Sequence, residues 1–280
     1  MTPAAFDYVR AETLDHALAL KAEHGDDASV MAGGQSLVPL LAMRLARPEV
    51  VIDIGHLDEL AQQREAGGTV TLGALTRHRA LERDPALTGM VPLLSAAARY
   101  VAYPSVRNRG TLGGAVALGD PAAEYPAVLV ALDAAVCLAS TKGARDVPAQ
   151  DFFIGAMETA VADDEIVTGI RVPSHGPRDR FGFYEIAERK GDYALAGAAV
   201  ALHLSAAPAV RAVLFGIADT PLVVPLSSDV LGSTEAPRAA ATQARQAAQD
   251  AGAAPLKAHL AAVAMERAVL GCTAREDATA

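Results

Sequence analysis

The stretch Ala28-Ser29-Val30-Met31-Ala32-Gly33-Gly34-Gln35-Ser36-Leu37-Val38-Pro39-Leu40 decides how the first third of the chain folds. Ala28–Ala32 is apolar and short enough for a strand, and Gly33-Gly34-Gln35-Ser36 breaks it. Leu37–Leu45 reads as a helix, because Pro39 falls near its first turn, where a missing N–H costs little. Working outward, Phe6–Arg10 and Val50–Ile54 read as strands. Thr13 caps a helix running to about His24, with Leu14, Ala17, Leu18 and Leu20 roughly on one face. Strand, helix, strand, loop, helix and strand in this order predict a small parallel sheet. Glycines at the strand-to-helix turn can take positive φ and leave room for a ligand to approach the backbone. Their N–H groups would then form a nest for an anion, at the positive end of the following helix. On spacing alone, a plain tight turn explains the loop at least as well.

Beyond residue 56 the pattern changes. Leu60–Arg64 and Thr69–Leu72 flank Gly67-Gly68, Thr76–Arg83 and Val91–Tyr100 read as helices, and Pro121–Leu132 as another before the strand Ala134–Ala139. Ile166–Val172 is a strand stopped by Pro173, and Pro173–Arg180 is the best domain boundary. Strands follow near Phe181–Ile186, Ala196–Leu204 and Val210–Ile217. A last helix, Pro255–Leu270, turns Leu256, Leu260, Val263 and Leu270 to the core with Gly271 just past its end. A second glycine loop, Arg107-Asn108-Arg109-Gly110-Thr111-Leu112-Gly113-Gly114-Ala115, combines small residues, a hydroxyl and two arginines. It fits a phosphate site and a glycine-rich bend with solvated arginines equally well.

Composition narrows the function. A formal net charge of -9 with a pI near 5.2 argues against nucleic-acid or anionic-membrane partners, which reward a basic face. The longest apolar stretches fall short of the ~20 residues that span a bilayer, and Met1–Asp7 lacks the basic-then-apolar layout of a signal peptide, so a cytoplasmic location is expected. Cys137 and Cys272 suit reduced thiols, and two thiolates cannot complete a [2Fe–2S] cluster, which ordinarily takes four. No G-x-G-x-x-G follows the first strand, and no P-loop, H-E-x-x-H or G-x-S-x-G appears. The seven histidines lack metal-ligand spacing, and Asp163-Asp164-Glu165 reads as a solvated turn.

Taken together, the segments from Ala32 to Leu40, Val51 to Ile54, Val106 to Gly114, Asp120 to Pro126 and Arg189 to Ala194 resemble, in order, the carbon monoxide dehydrogenase medium-subunit family. That family is related to the flavin domain of xanthine dehydrogenase. The resemblance covers about residues 3 to 271 and implies an α+β, vanillyl-alcohol-oxidase-type (PCMH-type) FAD-binding fold. It implies an FAD domain over 1–175, with sub-domains of about 1–55 and 56–175, and a C-terminal α+β domain over 178–280. It also implies non-covalent FAD, with Ala32, Gly33, Gly34, Gln35, Ser36 and Leu37 and then Thr111, Leu112, Gly113, Gly114 and Ala115 at the diphosphate. Glu124 matches an acidic position near the ribityl or ribose hydroxyls, where a carboxylate can accept their protons. Tyr193 matches an aromatic against the isoalloxazine, with core packing as its other reading. Lys190 matches a position near the flavin or is simply solvated. Ala115 departs from the Asn, Asp or Ser of many members, which leaves only its backbone to contact a ligand.

The same resemblance implies partners: a small iron–sulfur subunit with [2Fe–2S] clusters and a large molybdopterin subunit, assembled as a dimer of heterotrimers. The substrate would be oxidised on the large subunit, so no catalytic residue and no metal site are expected here. Two other functions stay open on sequence. A stand-alone FAD oxidoreductase would need its own placed acid or base, for which no candidate is visible, and a nucleotide-binding scaffold would need only the glycine loops.

Overall fold

A computed structural model describes residues 2–204, 209–226 and 233–273. Met1 and residues 274–280, the outer limits of the two expected domains, lie outside these.

The first unit is the expected parallel sheet. It contains β1 (Asp7–Arg10), α1 (Leu14–His24), β2 (Ala28–Met31), α2 (Leu37–Ala42) and β3 (Val50–Asp53), with strand order β1-β3-β2 and all pairs parallel. Thr13 caps α1 by accepting from the His16 N–H at 3.1 Å. Ala17 and Leu18 of α1 are buried with Val50, Ile52 and Ile54 in one small core.

The second unit runs through β4 (Gln63–Ala66), β5 (Thr69–Gly73), α3 (His78–Arg83), α4 (Pro85–Met90), α5 (Pro92–Ala98), α6 (Pro104–Arg107), α7 (Leu112–Leu118) and α8 (Glu124–Ala131). It continues with β6 (Ala135–Ser140), β7 (Gly143–Pro148), α9 (Ala149–Phe152), the small hairpin β8 (Phe153–Gly155) and β9 (Glu158–Thr159), and β10 (Ile166–Pro173). Its five-stranded antiparallel sheet has the order β4-β5-β10-β6-β7. Residue Asp163-Asp164-Glu165 does not form a wholly solvated turn. Arg145 draws the Glu165 carboxylate inward with bonds of 2.6 and 2.8 Å, and Glu165 is buried.

The third unit is an antiparallel meander of β11 (Arg180–Ile186), β12 (Ala196–His203), β13 (Ala209–Phe215) and β14 (Leu222–Val224), followed by α10 (Ala236–Asp250) and α11 (Pro255–Thr273). Strand β12 is apolar at almost every position because both faces of this sheet are covered. Ala198, Val200 and Leu202 join the core under α10 and α11, while Ala199 and Ala201 face α8 and join the core of the second unit. Phe215 of β13 joins the core of the second unit as well, and within the meander its ring lies over Gly197 and stacks on Phe183 at a centroid distance of 5.6 Å.

Two expectations about the C-terminal helices change. Leu256 and Leu270 of α11 are exposed, and the buried face is instead Ala258, Ala261, Ala264, Met265, Ala268 and Cys272. Small residues win because the helix lies very close to β11. A Cβ on Gly182 would collide with the Ala268 carbonyl, and a Cβ on Gly271, which lies inside the helix rather than beyond it, would stand 3.7 Å from Gly182 Cα. Helix α10 is a further element; its buried stripe is Ala236, Ala240, Ala244 and Ala248. The expected α+β class holds throughout.

Candidate functional site

The two glycine loops meet in space. The first runs from the end of β2 to α2, and the second from α6 to α7. A Cβ on Gly33 would overlap the Arg109 carbonyl and come within 2.9 Å of Gly110 Cα. The Arg77 guanidinium bonds to the Arg109 carbonyl and, at 3.3 Å, to the Gly55 carbonyl, tying the second loop to the end of β3.

Their amides differ. No protein acceptor among the described residues takes the N–H of Gly33, Gly34, Gln35, Ser36 or Leu37. Gly34 sits at φ +70°, which turns this run of donors into a concave nest. In the second loop the N–H groups are internally engaged. Leu112 donates to Thr76 at 2.8 Å, Gly113 to Ala74 at 2.9 Å, Gly114 to the Thr111 hydroxyl at 3.1 Å and Ala115 to Thr111 at 3.1 Å. What the second loop offers is proximity: a Cβ on Gly113 would stand 2.5 Å from Ala74 Cβ, so only glycine lets α7 lie this close to the sheet.

Both loops line a cleft of about 560 Å³. Of the residues singled out by sequence, Ala32, Gly33, Gly34, Gln35, Ser36, Leu37, Thr111, Gly113, Gly114, Ala115, Glu124 and Tyr193 border it. Leu112 does not: it is fully buried in the core of the second unit, because the first residue of α7 turns its side chain toward the sheet. Lys190 lies outside the lining and is exposed. Arg107, read as a phosphate ligand or a solvated arginine, is buried. It binds Glu82 at 3.0 Å and the carbonyls of Val101 and Ala102 at 2.9 and 2.7 Å. The Ala102 turn, at φ +41°, in turn packs under Gly191 beside the Tyr193 segment.

The cleft also holds polar side chains that local sequence does not reveal. His78 bonds through Nδ1 to the buried Tyr125 hydroxyl at 3.1 Å; burial, then the charges of Arg107 and Arg77, push its pKa down to about 4, so it is neutral. Lys21 is buried and donates to the carbonyls of Gly25 and Ala28 at 2.6 and 2.9 Å. Glu124, at the start of α8, is raised to about 7 by burial, with its own backbone N–H opposing and the Asp120 charge adding. Behind it Glu185 is raised to about 8 by burial and by Glu124, and its Oε2 has no hydrogen-bond partner among the described residues. Tyr193 is 62% exposed at the mouth. Its hydroxyl end is drawn in near Asp120, and burial followed by the charges of Asp120 and Glu124 raises its pKa.

Comparison with known proteins places the chain in a family. Residues 4–175 match the family described as the FAD binding domain in molybdopterin dehydrogenase. The chain is 43% identical over 199 residues to the 6-hydroxypseudooxynicotine dehydrogenase complex subunit alpha of Paenarthrobacter nicotinovorans, covering 71% of this chain and 67% of that protein. It is 35% identical over 285 residues to the carbon monoxide dehydrogenase medium chain of Afipia carboxidovorans, covering 98% and 99% of the two. A chain of the reconstituted CO dehydrogenase from Oligotropha carboxidovorans superimposes with a TM-score of 0.90 at 33% identity, covering 98% of this chain and all (100%) of that one. The parallel unit, the antiparallel unit and the C-terminal meander are therefore those of a known flavoprotein fold, and the chain belongs to the FAD-binding medium subunits of the molybdenum hydroxylase-type dehydrogenases.

Proposed function

We propose that the cleft holds one FAD non-covalently and that the chain relays electrons from the [2Fe–2S] clusters of a small iron–sulfur subunit to an external acceptor. Substrate oxidation would take place on a large molybdopterin subunit, and the assembly would be a cytoplasmic dimer of heterotrimers. The observation that carries this reading is the run of amides from Gly33 to Leu37, which belong to the cleft lining and have no protein acceptor among the described residues. A diphosphate is the part of FAD that such a nest suits.

The remaining residues fit the same ligand. Glu124 is a buried carboxylate whose one identified hydrogen-bond donor is its own amide, so sugar hydroxyls would supply donors it lacks. Gly113 lets α7 lie close to the sheet, a Cβ on Gly114 would face Ala32 of the first loop at 3.9 Å, and Tyr193 stands at the mouth where it can cover a planar ring. His78, the one histidine bordering the cleft among the described residues, is engaged by Tyr125, and neither cysteine borders it, which favours non-covalent binding. The cofactor contributes the electron-accepting chemistry when bound, and the chain contributes binding, orientation and electrostatics. Among the described residues no helix is long and apolar enough to cross a membrane.

The subunit reading rests on the relatives' names as medium chain and complex subunit. The test is to produce the chain alone and with the products of its genomic neighbours, under anaerobic conditions. The lone chain should carry FAD that denaturation releases intact, and it should not be reduced by an N-heterocycle, an aldehyde or carbon monoxide. The co-produced complex should be reduced by its own substrate. Rapid reduction of the lone chain would overturn the relay.

A further inference from the structure

The chain has a formal net charge of -9, yet one part of its surface is basic. Arg79 and Arg83 are four residues apart on α3, so their guanidiniums leave the same face, while His78 and Leu81 are buried on the other. Together with Arg77 and Asn108 they line a shallow surface hollow of about 430 Å³.

The charge in this hollow is largely uncompensated. Arg77 donates to carbonyls, and Arg79 to the Asn108 side-chain carbonyl at 3.2 Å. Two carboxylates are near and both have other tasks. Glu82 is held by the buried Arg107 at 3.0 Å, leaving Arg83 at 4.0 Å, and Asp84 caps α4 through the Ala86 N–H at 2.9 Å. Arg109 adds like charge next to Arg77.

The shape decides the class of ligand. Arg79, Arg83, Asp84, Asn108 and Arg109 are all exposed, so a small anion here would keep most of its hydration and bind weakly. An extended polyanion would meet the repulsion of the acidic remainder. A folded partner with a local acidic patch meets neither difficulty, because interactions beyond a Debye length of about 8 Å are screened at physiological salt. Asn108 lines the hollow, while Gly110 and Thr111 of the same loop line the cleft, so a partner docked here rests against the cleft wall.

We infer that the hollow lined by Arg77, Arg79 and Arg83 is a docking surface for an acidic patch on a partner polypeptide of the complex. The inference deepens the proposed function and rests on the chain being one subunit of an assembly. It does not depend on how FAD is held.

The experiment compares the wild-type chain with the Arg79→Glu/Arg83→Glu double variant, each mixed with the partner subunits encoded beside it. Flavin content per chain should be equal in the two. Association of the variant should be slower by about tenfold or more, and the salt dependence seen for wild type between about 50 and 200 mM should flatten. Arg79→Lys/Arg83→Lys should keep most of the wild-type rate. Equal association of wild type and double variant would overturn the docking surface while leaving the subunit reading intact. Failure of the wild type to associate would overturn both. Saturable binding of inorganic pyrophosphate that is lost in the double variant, with association unchanged, would replace the protein partner by a small anion.

Discussion

The carbonyl oxygen of Arg109 stands where a Cβ atom on Gly33 would have to be. The requirement for glycine in the first loop is therefore imposed by the second loop, in addition to any ligand. Gly33→Ala should force the loops apart, with loss of bound FAD and destabilisation of about 1–3 kcal/mol. Flavin absorbance per chain and thermal unfolding read both effects. Gly89→Ala is a suitable control, since a Cβ there meets nothing within 4 Å. Full flavin occupancy with unchanged unfolding in the Gly33 variant would show that the contact has no consequence.

Glu124 links the cleft to pH. Burial raises its pKa from 4.5 to about 7, so the folded chain without cofactor holds a proton that the unfolded chain releases. The stability this contributes is complete below about pH 4.5 and is lost as pH rises through about 7. Glu185, raised to about 8, acts in the same direction. The FAD-free Glu124→Gln variant should thus be more stable than wild type at pH 8, by on the order of 1–3 kcal/mol, and similar to it at pH 4. The same variant should bind FAD more weakly, having lost charge-assisted acceptance from sugar hydroxyls. Melting curves that differ equally at both pH values would refute the titration account.

Tyr193 presents an exposed ring at the mouth with its hydroxyl near Asp120. Tyr193→Ala should alter the flavin spectrum or reduction potential while retaining most FAD affinity, because the nest from Gly33 to Leu37 is untouched. An unchanged spectrum and potential would leave the ring with no role toward the cofactor.

Arg107 is buried, paired with Glu82 and bonded to two carbonyls of the Ala102 turn. Arg107→Ala leaves a carboxylate and two carbonyls without their donor, and should cost about 3–5 kcal/mol. Denaturant unfolding measures the loss. A cost under about 1 kcal/mol would mean that solvent replaces the guanidinium readily.

What the sequence by itself determined is local in origin. Alternation and apolar runs located the parallel unit, most strands of the meander and the last helix, and the breaks at Gly33-Gly34 and Gly113-Gly114 located both loops of the cleft. Helix α10 was not read from the sequence, although its alanines at every fourth position stand opposite a polar face; a stripe of alanine lacks the large apolar side chains by which a buried helix face is usually recognised. The tertiary structure alone decided which surfaces meet. It turned Leu112 into the core, left Lys190 outside the cleft, buried Arg107 against Glu82 and brought Lys21, His78 and Glu165 to the cleft lining. It also set alanines, instead of Leu256 and Leu270, on the buried face of α11, because the distance between helix and sheet is a property of the pair. Burial and charge depend on contacts between residues far apart in the chain, and no local pattern encodes those contacts.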